Sequence, residues 1–218
     1  MVEAQHLVST ARIVDTMAEQ ALLEDILEEN KPPIPKEADN LHFLLFSPFR
    51  YEPRQPNGSR FRAVYEPGVF YAAETVRTAA AEVGYWRWRF LQDTSGLERL
   101  QPCSFTAFKV PVNTSGIDLR ESPFDREYSA WQHPTDYSAT QALGRIAREA
   151  GIGAIIYQSV RDPEKYFCVA ILTPTAFAAK KPDSATQTWS LTISTEEAIW
   201  MRQGGESFSF RTNSWESL

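Results

Sequence analysis

Apolar residues recur at Leu7, Ala11, Val14, Ala18, Leu22 and Ile26, a step of three to four that suits an amphipathic helix and not a strand. The pattern predicts one helix over 7–29, acidic in its second half (Glu19, Glu24, Asp25, Glu28, Glu29), with its apolar face packed on its own domain. The prolines of KPPIPKEADN remove backbone donors and end it, leaving a stiff linker. HFLLFSPFRY then has the aromatic and aliphatic density of a strand, closed by the turn-forming cluster EPRQPNGS. GVFYAA reads as a shorter strand. ETVRTAAAEVGYWRWRFLQ reads as a helix with an apolar face of Val76, Ala80, Val83 and Phe90, while Glu82 falls on another face with Thr78, Trp86 and Arg89. SFTAFKVPV is a third strand, and DLRESPFDREYSAWQHPTDYS a long polar loop of the length usually kept for function or mobility. A helix from Tyr137 to Ala150 ends at Gly151. GAIIYQSV and FCVAILT pair around the turn RDPEKY, and TWSLTIS and SFSFRT supply two candidate strands. Helices and strands mixed without regular alternation point to an α+β fold. The organisation read from this pattern is an N-terminal helix at 1–30, a Pro-rich linker at 31–40 and one domain at 41–218.

Composition narrows the function classes. With 43% apolar and 23% charged residues among 218, the chain can build a packed core. Its 22 basic against 28 acidic residues give a net charge of -6, which opposes attraction to a phosphate backbone and argues against direct nucleic-acid binding. WRWRF interleaves aromatics with arginine, as a base-stacking segment would. On a helix, however, those side chains diverge, and packing is the preferred reading. Cys103 and Cys168 sit in apolar runs and read as buried reduced thiols, and His6, His42 and His133 are scattered. No metal site and no thiol or histidine nucleophile is therefore expected. Neither a signal-like N-terminus nor a run approaching about 18 apolar residues occurs, so a cytoplasmic protein without membrane contact is expected. No glycine-rich dinucleotide loop or Walker loop is present, so any dinucleotide would be gripped by other means.

Several short segments share one resemblance. Phe49-Arg50, Gly58-Ser59-Arg60-Phe61, Val69-Phe70-Tyr71-Ala72-Ala73, Glu82 eleven residues after Tyr71, and TDYSATQALGRIAREAGIGAIIYQSVRDP follow one another in order. The series resembles the RES family, named for its Arg, Glu and Ser, over most of residues 43 to 175. Gln158 stands where that family usually has proline, and Phe61 to Gly68 replaces its Trp-Asn-x-x-Gly segment with a longer run that lacks the asparagine.

The resemblance implies an ADP-ribosyltransferase-like fold, a mixed or antiparallel β core flanked by helices, and a bacterial toxin that uses NAD as substrate. It also implies a cognate antitoxin with a DNA-binding domain. It marks Arg50, Glu82 and Ser159 as catalytic, and Arg50, Arg60, Tyr71 and Ser159 as NAD-binding. The residue types suit that chemistry. A guanidinium fork grips two phosphate oxygens at once, and a carboxylate stabilises the positive charge that develops at the ribose as nicotinamide leaves. Ser159 lacks the adjacent base of a nucleophile and fits hydrogen bonding to the ligand or to Glu82. The acceptor of ADP-ribose is open between a protein, phosphate and water, with a protein favoured because the N-terminal helix adds surface. The alternative of another class is a non-catalytic interaction protein. A glycosidase would need a second facing carboxylate, which the pattern does not supply.

Overall fold

The computed structural model describes residues 1–4, 13–51 and 58–216. The start of the N-terminal periodic run, at 7–12, and the turn cluster at 52–57 lie outside the described residues. In chain order the elements are β1 (Val2–Glu3), α1 (Met17–Glu29), α2 (Phe43–Arg50), β2 (Phe70–Ala73), α3 (Val76–Gln92), β3 (Arg99–Ala107) and β4 (Gly116–Asp118). There follow α4 (Tyr128–Trp131), α5 (Ser138–Glu149), β5 (Ala154–Gln158), β6 (Phe167–Ile171), β7 (Gln187–Ser194), β8 (Glu197–Arg202), β9 (Ser207–Arg211) and α6 (Asn213–Glu216).

These strands form two sheets. One is antiparallel throughout, in the order β1-β3-β7-β8-β9. The other has the order β2-β6-β5-β4 and is mixed, because β4 runs parallel to β5. With helices flanking both sheets, the fold is α+β. Among the described residues no helix is long and apolar enough to cross a membrane.

Four local expectations are corrected. HFLLFSPFR is helical. Leu41, Leu45 and Phe49, spaced by four, enter one cluster with Ile171 and Ala176, so helical period prevails over aromatic density. His42 caps this helix, its Nδ1 accepting from the Leu44 amide at 3.3 Å. The second correction concerns α1, which starts in a capping box of Thr16 and Glu19 but buries none of its residues; Leu22 is 60% exposed. Its C-terminal end is tied to α2 by Glu28, which pairs with Arg50 at 2.7 Å. Third, the long loop is built: it contains a 3₁₀ turn at Phe124–Glu127 and α4, pinned by the buried Trp131 whose indole donates to Phe124 O at 2.8 Å. Last, EAIWMR forms a strand, β8, that the sequence reading passed over; Ala198 and Trp200 point into the core while Ile199 and Met201 are exposed.

Helix α3 positions the site. Thr75 caps it, accepting from the Thr78 amide at 3.0 Å, a contact of about 1 kcal/mol. Its buried residues are Thr78, Ala80, Ala81, Gly84, Tyr85, Trp88 and Leu91. Phe90, expected on the apolar face, is exposed. The face is turned because small residues admit close neighbours: a Cβ on Gly84 would stand 3.1 Å from the Trp215 ring. Tyr85 and Trp88 pack with Trp189, Trp200, Phe210 and Trp215 into the core under the antiparallel sheet. Burial of such side chains contributes roughly 1.5–3 kcal/mol each.

Candidate functional site

A cavity of about 360 Å³ is lined by residues from the mixed sheet, α3 and the segments at 59–60 and 137. Strand pairing explains one wall. Tyr71 opposes Ala170, Ala73 opposes Cys168, and Cys168 opposes Tyr157, so Tyr71, Ala73, Cys168 and Tyr157 share one face of the pleat. The facing wall is a stripe of α3: Ala79, Glu82, Val83 and Trp86, at helical spacing.

Glu82 is held from the sheet. Ser159, just past the end of β5, donates its hydroxyl to Glu82 Oε1 at 2.6 Å. The same Oγ accepts from the amides of Arg161 (3.3 Å) and Asp162 (3.1 Å), which fills a hydroxyl's capacity of one donor and two acceptor positions. The Cys168 thiol lies 3.8 Å from the same carboxylate oxygen. Burial, and then the nearby Glu82 carboxylate, push that thiol well above its usual range, which favours its protonated form.

Arg60 is placed by a tight turn. The Ser59 and Arg62 backbones bond reciprocally at 2.8 and 3.1 Å, and Gly58 precedes them at φ +70, where a Cβ would strike Arg62 O. Helix α5 presses on this turn. A Cβ on Gly144 would lie 2.6 Å from Phe61 O, Gln141 Nε2 donates to Ser59 O at 3.1 Å, and Arg148 donates to Phe61 O at 3.1 Å. Arg60 itself is buried. Its Nη1 donates to Trp131 O and His133 O, both at 3.0 Å, and its guanidinium lies 4.7 Å from the Tyr137 ring centre.

Tyr71 ties the turn to the sheet, its hydroxyl accepting from the Phe61 amide at 3.0 Å and sharing a hydrogen bond with Ser59 Oγ at 2.9 Å. Its ring is partly open along the cavity while the hydroxyl is enclosed, and burial raises its pKa above the usual tyrosine range. Tyr157 is raised further, by burial first and then by Cys168 and Glu82.

The structure therefore brings Arg60, Tyr71 and Glu82 to one cavity, with Ser159 behind Glu82. Arg50 is elsewhere. Its Nε donates to Pro32 O at 2.6 Å and its Nη1 pairs with Glu28 at 2.7 Å, and it is not among the residues lining the cavity. The structure thus places Arg50, expected as catalytic and phosphate-gripping, outside the cavity, with Nε and Nη1 bonded to the linker and α1. Sequence reasoning missed Arg161, Tyr137, Tyr157 and Trp86 as lining residues. Arg161 had a signal, two residues after Ser159 in the quoted QSVRDP run. Tyr137 and Tyr157 lie in the longer quoted run that ends in QSVRDP, and Trp86 shares the Glu82 face at helical spacing.

No curated protein matches the chain. The model of the RES domain matches residues 34–194, a stretch that contains Arg60, Tyr71, Glu82 and Ser159, and on that match the chain belongs to the RES-domain family.

Proposed function

We propose that the protein is an enzyme that cleaves the nicotinamide–ribose bond of NAD and passes ADP-ribose to a protein acceptor, acting as the toxin of a pair whose antitoxin carries a DNA-binding domain. Family membership supports the coarse reading, an NAD-using protein of the toxin–antitoxin kind. The observation that carries the finer one is Glu82, its carboxylate oriented by Ser159 in a cavity whose other charged side chains are Arg60 and Arg161. Neither arginine makes an ion pair among the described residues. That arrangement suits a ligand cationic at one end and doubly anionic at the other, as NAD is at its nicotinamide and pyrophosphate.

In the reaction the bond from the anomeric carbon to the nicotinamide nitrogen breaks, and its electron pair leaves with the ring and cancels the ring's positive charge. The ribose carries the positive charge in transit, and Glu82 is the group that stabilises it. The acceptor then bonds to the same carbon and loses its proton. Ser159 keeps the carboxylate in place, and Tyr71 confines the ribose and nicotinamide. The cavity is at the small end of the range for ligand sites, so only part of NAD would be enclosed. Exposed Met17, Leu22 and Ile26 on α1 offer a surface for a protein acceptor. The second reading is phosphate or water as acceptor; an arginine that the NAD pyrophosphate leaves free would favour phosphate.

The test is nicotinamide release from NAD, with and without phosphate and with and without lysate protein. Release by the wild type, a fall of about 100-fold or more in Glu82→Gln at unchanged melting temperature, and a labelled protein band support the proposal. Free ADP-ribose or its 1′-phosphate with no labelled band moves the acceptor to water or phosphate. Equal turnover in Glu82→Gln removes Glu82 from the chemistry.

A further inference from the structure

Arg161 is 3% exposed, yet it meets no carboxylate. Among the described residues its side chain makes no ion pair. Nη2 donates to Pro134 O at 2.6 Å and, weakly, to the Tyr137 hydroxyl at 3.5 Å, and the guanidinium lies 3.7 Å from the Tyr85 ring centre. Nη1 is buried without any acceptor. Asp162, next in the chain, does not help, since its carboxylate is spent on the Thr78 hydroxyl at 2.8 Å and the Glu164 amide at 3.1 Å.

A buried cation supported only by neutral acceptors and left with a free donor is destabilising. What separates Arg161 from Arg50 and Arg148 is charge: Arg50 has Glu28 at 2.7 Å and Arg148 has Glu66 at 3.6 Å, although Arg148 too leaves Nε and Nη1 without a hydrogen bond. Arg161 lines the cavity together with Arg60 and Glu82, so an oxyanion seated against that wall supplies the acceptor and charge the protein withholds. The backbone fixes its place. The Arg161 amide donates to Ser159 Oγ, and its carbonyl accepts from the Trp215 indole at 2.9 Å.

We propose that Arg161 is an anion-binding residue of this cavity, its guanidinium taking a phosphate-class oxyanion of the substrate. A guanidinium presents paired donors that match adjacent phosphate oxygens, and the Glu82 carboxylate in the same cavity keeps that anion at the end away from the cationic ring. Naming the anion as the NAD pyrophosphate rests on the function proposed above; the anion subsite does not.

The experiment is calorimetric titration of NAD, nicotinamide riboside and inorganic pyrophosphate into Glu82→Gln, whose NAD turnover is expected to be about 100-fold or more slower, with and without Arg161→Gln. Arg161→Lys, which keeps the stem and the charge but not the fork, serves as a second variant, and melting curves report folding. The expected result is NAD binding weakened roughly tenfold or more and pyrophosphate binding lost, with the riboside, which has no phosphate, held at its original affinity. Equal weakening of riboside and NAD makes Arg161 a structural brace and overturns the inference, as does unchanged binding of both phosphate ligands. If NAD binds no version while pyrophosphate still requires Arg161, the NAD reading fails and the anion subsite stands.

Discussion

Ser159 gives its one proton to Glu82 and takes two amide hydrogens, so it has no free capacity for attack on a substrate; its chemistry is to aim a carboxylate. Around that pair the mixed sheet buries three neutral acids whose charged forms are penalised. Burial is the leading cause of the raised pKa of Tyr71, Tyr157 and Cys168. All three bind their protons more tightly folded than unfolded. Above the unfolded values, roughly 8.5 for cysteine and 10 for tyrosine, the unfolded chain loses protons that the native one keeps. The slope of stability against pH is then negative, and the contribution, complete below about pH 8, is lost as pH rises toward the folded values. Urea unfolding at stepped pH should show the midpoint flat from about pH 7 to 8 and falling above about 9, with a shallower fall in Tyr157→Phe. A midpoint that holds to about pH 10.5 contradicts this account of the sheet face.

Arg50 enters the expected site through the resemblance at Phe49-Arg50 alone. The Leu41, Leu45, Phe49 stripe packs α2 on its cluster, and Arg50 at the helix end bonds Glu28 and Pro32. Arg50→Ala should therefore leave nicotinamide release within about threefold of wild type while speeding amide exchange and proteolysis in α1 and the linker. Glu28 is largely exposed and the ion pair adds little to global stability, so the effect should stay local. A loss of turnover equal to that of Arg60→Ala would restore the phosphate role. The same segment marks the limit of legibility. The α3 spacing groups Glu82 with Trp86, and both line the cavity, while Val83, expected on the apolar face, joins them; Arg60, Tyr71 and Ser159 are legible only through the resemblance of the runs around them. The exposure of α1, the burial of α3 through Ala81 and Gly84, and the structured stretch around Trp131 were not legible, since each is decided by partners distant in the chain.

At the scale of the whole molecule, the matched family region ends at residue 194, inside the antiparallel sheet, yet the core beneath that sheet is completed by Trp200, Phe210 and Trp215 beyond it. Trp215 connects this core to the site. It stacks on Phe210 at 5.7 Å, meets Tyr85 edge-on at 6.1 Å, contacts α3 at Gly84 and donates its indole N–H to Arg161 O. Helix α3 thus has one sheet and its tryptophans behind it and the cavity in front, and the orientation of Glu82 depends on both sides being packed. Trp215→Ala should cost about 3–5 kcal/mol by the cavity it leaves, seen as a lower urea midpoint with the slope unchanged. Trp215→Phe, which keeps most of the ring but drops the N–H, should cost about 1–3 kcal/mol through the unpaired Arg161 carbonyl and the smaller ring. If α3 and Arg161 are held as described, the Phe variant should also weaken NAD binding more than riboside binding, because it removes one of the two bonds that fix the Arg161 backbone. Wild-type stability in Trp215→Ala would mean that the sheet's core does not extend past the family region and that the site stands without it.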